Sequence, residues 1–151
     1  MSVSTEDLTI RKTLSVPIGV EEAWQLFTER ASSWWPFPTH SIGGEATKAA
    51  VMEGRPGGRF YERQQDGTEA DWAIVRTWEP PTRLVLEWKV DPSCASEVEV
   101  RFAPEGDGTR VVLEHRGWEA YGDGARDAMA SYDGGWDVVL RPYVEAARPA
   151  S

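Results

Sequence analysis

The sequence predicts an α+β fold: a curved antiparallel sheet of about seven strands, two short helices after the first strand, and a long C-terminal helix over the concave face. Three observations predict it. From about residue 59 to 116 apolar and polar residues alternate, the period of half-buried strands. Asp66-Gly67, Glu79-Pro80-Pro81-Thr82 and Glu105-Gly106-Asp107-Gly108 divide that stretch with turn residues. After Gly124 the period changes, and Met129, Tyr132, Trp136, Val139, Leu140, Tyr143 and Ala147 recur at helical spacing.

Each element follows from its residues. Leu8 to Leu14 places residues 8, 10 and 14 on one face of a first strand, which Val16-Pro17-Ile18-Gly19 ends. Glu21 and Glu22 open a helix whose apolar residues are Val20, Ala23, Trp24 and Phe27, and acids in a first turn oppose the positive end of the helix dipole. A second helical turn runs from Arg30 to Trp35 and stops at Pro36; residues 37–44 read as loop. In the later strands Leu84, Leu86, Trp88 and Val90 share one face, as do Val98, Val100 and Phe102, and then Val111, Leu113 and His115. The last helix is expected over Ala125 to Ala147, weakened at Gly134-Gly135 by up to ~1 kcal/mol per glycine and kinked at Pro142.

Composition bounds the function. The chain of 151 residues is read as one domain spanning 1–151. Its net charge of −9 is spread along the chain, and no Lys/Arg cluster interrupts it, so neither nucleic acid nor a membrane surface is an expected partner. Cys94, in a turn-like Asp91-Pro92-Ser93 context, is the only cysteine, so no intrachain disulfide is possible. The N-terminus lacks a signal peptide's apolar run and no segment approaches a membrane span, so the cytoplasm is the expected location. Eight Trp, four Tyr and four Phe are a heavy aromatic load of the kind that lines small-molecule cavities.

Hairpin register assigns the faces. A two-residue turn at Asp66-Gly67 puts Glu62 opposite Asp71, Tyr61 opposite Trp72 and Phe60 opposite Ala73. A turn at Pro80-Pro81 sets Thr77, Val75 and Ala73 against Leu84, Leu86 and Trp88. Cross-strand partners share a face. Phe60, Glu62, Asp71, Ala73, Val75 and Thr77 therefore face inward. Tyr61, Trp72, Ile74 and Val85 face outward, interleaved with Arg59, Arg63 and Arg76, with Trp78 near the turn. This outer cluster reads in one of three ways: as the surface of a homodimer, as rings shielded by the arginine stems, or, on a register shifted by one residue, as the cavity lining.

On this register Glu62, Asp71 and His115 point into an apolar interior, where a lone charge is costly. They form either a polar clamp for a ligand's carbonyl or hydroxyl, or solvated groups at an open end with His115 capping the sheet edge. The expected cavity lies between sheet and last helix. Phe60, Trp88, Phe102 and Leu113 wall it from the sheet; Met129, Tyr132 and Trp136 roof it from the helix. Trp35 marks its mouth, and His40 reads as a solvated loop residue. Trp24 and Phe27 read as plain core.

Several motifs then stand in a definite order: Val16-Pro17 before Glu22-Ala23-Trp24, Trp34-Trp35-Pro36, Gly57-Gly58-Arg59-Phe60-Tyr61-Glu62, Trp78-Glu79-Pro80-Pro81 leading to Arg83-Leu84-Val85, and Gly135-Trp136. Together they resemble the START and Bet v 1-like (SRPBCC) superfamily of helix-grip domains, in the bacterial branch related to the C-terminal domain of the Hsp90 ATPase activator. That resemblance implies the helix-grip fold. It groups the chain with lipid and hormone carriers and polyketide cyclases.

No nucleophile-and-base pair, metal-ligand spacing or phosphate loop occurs, so neither metal nor cofactor is expected. Three functional readings remain. The first is a carrier for a small, largely apolar, aromatic or lipid-like molecule. The second is a cyclase, lyase or hydrolase using Glu62 or Asp71 as general acid or base with help from His115. The third is a protein-interaction module with a packed core.

Overall fold

Strand alternation and helical periodicity sort the apolar side chains of the chain to a single interior. The computed structural model describes residues 9–89 and 96–147; Leu8, Val90 and Cys94, read above as strand ends and a turn, lie outside the described residues. The strands are β1 (Ile10–Val16), β2 (Thr47–Met52), β3 (Arg59–Gln64), β4 (Glu69–Glu79), β5 (Arg83–Trp88), β6 (Ser96–Glu105) and β7 (Gly108–Arg116). They form one antiparallel sheet in the order β1-β7-β6-β5-β4-β3-β2. The sheet curls around α1 (Val20–Thr28) and α2 (Ala125–Ala146), which gives the helix-grip architecture. The second short helix is a single 3-10 turn, Ala31–Ser33, and α2 runs unbroken through Gly134-Gly135 and Pro142.

β5, β6 and β7 pair without interruption, so the expected inner residues stay together. Leu84 lies opposite Val100, Val98 opposite His115 and Phe102 opposite Val111, all buried. β4 departs from expectation twice. At its first hairpin the Gln64 N–H donates to Thr68 O at 2.8 Å, so three residues, Gln65 to Gly67, make the loop. Gly67, at φ +92°, takes the left-handed position that such a loop requires. The extra residue slips β4 by one, setting Arg63 against Glu69, Glu62 against Ala70 and Tyr61 against Asp71. A β-bulge at Trp72 absorbs the slip, and Phe60 then meets Ala73 as expected.

The consequence is an exchange of faces. Asp71, expected inside, emerges on the outer face with its side chain 47% exposed and 2.8 Å from Arg59 Nη2. Trp72, expected outside, turns inward and is only 2% exposed. A second bulge at Arg76 sets Thr77 against Val85 and Trp78 against Leu84. Thr77 thereby leaves the inner set, and Trp78 packs inward with its ring 5.0 Å from Trp24.

The aromatic dimer patch expected from Tyr61, Trp72, Ile74 and Trp78 therefore does not form on the outer face. Both bulges turn the indoles in, Ile74 is half-buried, and the Arg59 guanidinium covers the Tyr61 ring at 4.0 Å. Ion pairs occupy that face instead. Arg76 pairs with Glu87, and Glu99 accepts from Arg83 at 2.6 Å, Arg101 at 2.8 Å and Arg116 at 2.6 Å. Burial alone would raise the Glu99 carboxyl, but the three arginines hold it down at about 2.

The helices divide the interior into a filled end and an open end. At the filled end α1 inserts Trp24 and Phe27 against Phe102, at 5.4 and 5.8 Å. Tyr143 of α2 closes over Phe27 at 5.3 Å, and its hydroxyl donates to Ala23 O at 2.9 Å, tying the two helices together. Near the middle of α2, Lys12 of β1 holds Asp133 and Asp137, each at 2.9 Å. The open end lies under the N-terminal half of α2.

The face assignment has a direct check. Trp72→Glu places a second carboxylate in the interior beside Glu62 and should abolish cooperative thermal unfolding, since an unpaired buried charge exceeds the domain's tolerance. A folded Trp72→Glu variant with an altered sedimentation coefficient would instead return Trp72 to the surface.

Candidate functional site

A cleft of about 380 Å³ opens at that end. Trp72 and Trp88 form its floor from the sheet, and Tyr132, Trp136 and Val139 form its roof from α2. Trp35 and the following loop, with His40, Ser41 and Ile42, form the side wall. The indoles interlock: Trp35 lies 4.8 Å from Trp72 and 6.2 Å from Trp136, and Trp136 lies 5.5 Å from Trp88.

Every one of these four indole N–H groups is committed within the protein. Trp35 donates to His40 O at 2.7 Å, Trp72 to Glu62 at 2.8 Å, Trp88 to the Tyr132 hydroxyl at 3.3 Å and Trp136 to His115 at 3.0 Å. What they present to the cleft is ring surface.

Glu62 lies behind the cleft, fully buried. Its Oε1 accepts from Ile42 N at 2.6 Å and Trp72 Nε1 at 2.8 Å. Its Oε2 accepts from Gly43 N at 2.7 Å, Thr47 Oγ1 at 2.8 Å and Gln64 Nε2 at 3.0 Å. Burial pushes its pKa up, but the bonds from Trp72, Gln64, Thr47 and Ile42 outweigh that and hold it below the usual glutamate range. Glu62 is thus an ionised anchor for the loop wall. A β-carbon at position 43 would stand 2.7 Å from the Gln64 side chain and 2.8 Å from Thr47 Oγ1, so a larger residue there must displace groups that bond to Glu62.

His115, also fully buried, holds the other side. Its Nδ1 accepts from Trp136, so the ring proton sits on Nε2 and is donated to Ser96 Oγ at 2.7 Å. The ring packs between Trp118, at 4.3 Å, and Tyr132, at 5.1 Å. Burial drives its pKa down to about 3. This imidazole is neutral and doubly bonded, with no lone pair left for a substrate.

The structure therefore brings Trp35, Trp88, Tyr132 and Trp136 together at the cleft. Phe60 packs behind Trp72 at 4.9 Å, Phe102 belongs to the filled end, and Leu113 and Met129 lie outside the lining. Trp72 lines the cleft as the register shifted by one residue has it, and the glycine at the third loop position is the sequence signal for that shift. Ser131 and Gly135 share the α2 face of Tyr132 and Trp136 but were not singled out, and Ile42 reaches the site only through the folded mouth loop. Among the described residues no group of three His, Cys, Asp or Glu side chains could hold a metal ion, and no helix is long and apolar enough to cross a membrane.

Two predictions follow from these anchors. Glu62→Gln keeps the shape but turns an amide NH2 toward donors; it should cost about 3 kcal/mol in denaturant unfolding and deprotect the Ile42 and Gly43 amides in hydrogen exchange. Unchanged protection would remove Glu62 from its anchoring role. For His115, the unfolded chain takes up a proton below the ordinary value of 6.5 that the folded chain refuses until about 3. Stability from this burial is complete above 6.5 and falls as pH drops through that window. The loss at pH 5 should be about 2 kcal/mol relative to neutral pH, and His115→Gln should remove most of it. An equal loss in the variant would assign the pH dependence elsewhere.

The model of the family described as "activator of Hsp90 ATPase homolog 1-like protein" matches residues 18–144. No curated protein matches the chain. Among solved structures, the anthrahydroquino-gamma-pyrone synthase Txn09 is 35% identical, with 91% of this chain and 95% of that one covered and a TM-score of 0.64. CalC, a self-sacrificing resistance protein from Micromonospora echinospora, is 25% identical over 92% of this chain and 93% of its own, with a TM-score of 0.69. The Aha1 dimer from Colwellia psychrerythraea, 18% identical over 93% of this chain and 96% of its own, shares the fold at a TM-score of 0.68. By the family match and the 35% identical relative, the chain belongs to the activator of Hsp90 ATPase homolog 1-like family, within the SRPBCC superfamily.

Proposed function

We propose that this protein binds a flat, largely apolar, fused-ring aromatic molecule in the cleft, stacked among Trp35, Trp72, Trp88 and Trp136. The observation that carries the reading is the state of the indoles. Four rings converge on one opening with every N–H satisfied internally, so a ligand that offers ring surface loses no hydrogen bond on entry. The volume of about 380 Å³ lies within the range of small-molecule pockets. The 35% identical relative is named as a synthase of an anthrahydroquino-pyrone, a fused aromatic system, which favours this ligand class.

The same relative is an enzyme by name, and that favours a second reading in which the bound ring system is also transformed. The groups available for proton transfer then differ from those the sequence singled out. Asp71 is outside, Glu62 accepts five hydrogen bonds, and both His115 nitrogens are occupied. Among the described residues, the His40 imidazole is the group that lines the cleft in their place.

Titration with naphthalene and 9,10-anthraquinone should quench tryptophan emission saturably. Gly135→Leu fills the cleft from α2 and improves helix propensity; it should weaken binding at least about tenfold without lowering the melting temperature. Quenching that fails to saturate, or that Gly135→Leu leaves intact, would contradict the proposal.

A further inference from the structure

Among the described residues, His40 is the only imidazole in the cleft lining, and no Asp, Glu, Lys or Arg belongs to that lining. Three bonds fix its position. Its N–H donates to Pro36 O at 2.9 Å, its carbonyl accepts from Trp35 Nε1 at 2.7 Å, and its Nδ1 lies 2.7 Å from Thr39 Oγ1. The next turn of the loop is held by Glu62 through Ile42 and Gly43. The Nε2 edge faces α2 across the cleft, 3.8 Å from where a β-carbon on Gly135 would stand. Among the described residues nothing bonds to Nε2. The floor indoles have no N–H to offer, so a ligand stacked on them meets this nitrogen as a polar edge.

The geometry points to a neutral hydroxylated aromatic, a phenol or enol, as the ligand class, its hydroxyl hydrogen-bonded to His40 Nε2; this rests on the proposed stacking in the cleft. The reason is the ambivalence of the Thr39 contact. When the Thr39 hydroxyl donates to Nδ1, Nε2 carries the proton and donates to the ligand. When Nδ1–H donates to Thr39, Nε2 is a lone pair and accepts. A hydroxyl group serves both tautomers, whereas a ketone oxygen serves only the first. A carboxylate would enter a lining that has no Lys or Arg among the described residues, in a chain of net charge −9.

The test compares naphthalene, 2-naphthol and 2-naphthoate by calorimetric titration at pH 7.5, on the wild type and on His40→Phe. The variant keeps a flat ring and removes both nitrogens. In the wild type 2-naphthol should bind about fivefold more tightly than naphthalene, the effect of one neutral hydrogen bond, and 2-naphthoate no more tightly than naphthalene. In His40→Phe, 2-naphthol should bind no more tightly than naphthalene binds to the same variant, so that the preference between the two probes is lost. Saturable naphthalene binding with no preference for 2-naphthol overturns the hydroxyl inference and leaves the stacking reading standing. A preference that survives in His40→Phe, or tightest binding of 2-naphthoate, also overturns it. Failure of all three probes to bind overturns both.

Discussion

A fully buried carboxylate organises the open end of this fold. Glu62 sits on β3 where alternation sends it inward, and in that environment an ion survives only if surrounding donors replace water. They come from four parts of the chain: Thr47 on β2, Gln64 on β3, Trp72 at the β4 bulge, and the Ile42 and Gly43 amides of the mouth loop. One side chain thereby joins the sheet edge, the bulge and the loop wall. The positions of His40, Ser41 and Ile42 are consequences of that bond set, as is the crowding around Gly43.

The other side of the cleft uses the same logic without charge. The chain of bonds from Trp136 through His115 to Ser96 links α2 to β7 and β6, and its direction follows from one fact, that an indole nitrogen only donates. An imidazolium would set two donors against each other at Nδ1, so geometry and burial agree in keeping the ring neutral. Both devices consume the polar atoms of tryptophans and leave their faces to line a cavity. A cleft built this way is apolar by subtraction: its indole N–H groups are spent on its own rigidity.

The order of elements and most of the inner face were legible in the sequence, for physical reasons that also explain the failures. Period-two alternation identifies a face reliably where strands pair residue for residue, as β5, β6 and β7 do. β4 carries two bulges, and each inverts the alternation beyond it. One extra loop residue at Gln65 to Gly67 was enough to send Asp71 out and Trp72 in. The interior positions of Glu62 and His115 were readable, since their own strands are regular around them. Their saturation was not, because the partners Ile42, Gly43, Ser96 and Trp136 lie 19 to 21 residues away and reach them only through the folded sheet. The site's loop wall was invisible for the same reason.

A fused-ring aromatic seated as proposed should touch only the indoles of the open end and leave the filled end inert. The side-chain Nε1–H resonances of the eight tryptophans report it directly in a proton–nitrogen correlation spectrum recorded during titration with a fused-ring aromatic. Progressive, saturable shifts are expected at Trp35, Trp72, Trp88 and Trp136, with Trp24 unmoved and Trp34, packed 5.6 Å from Phe27 and 5.1 Å from Tyr143 at the filled end, unmoved as well. Shifts concentrated at Trp24 and Trp34, or spread evenly over all eight, would contradict it.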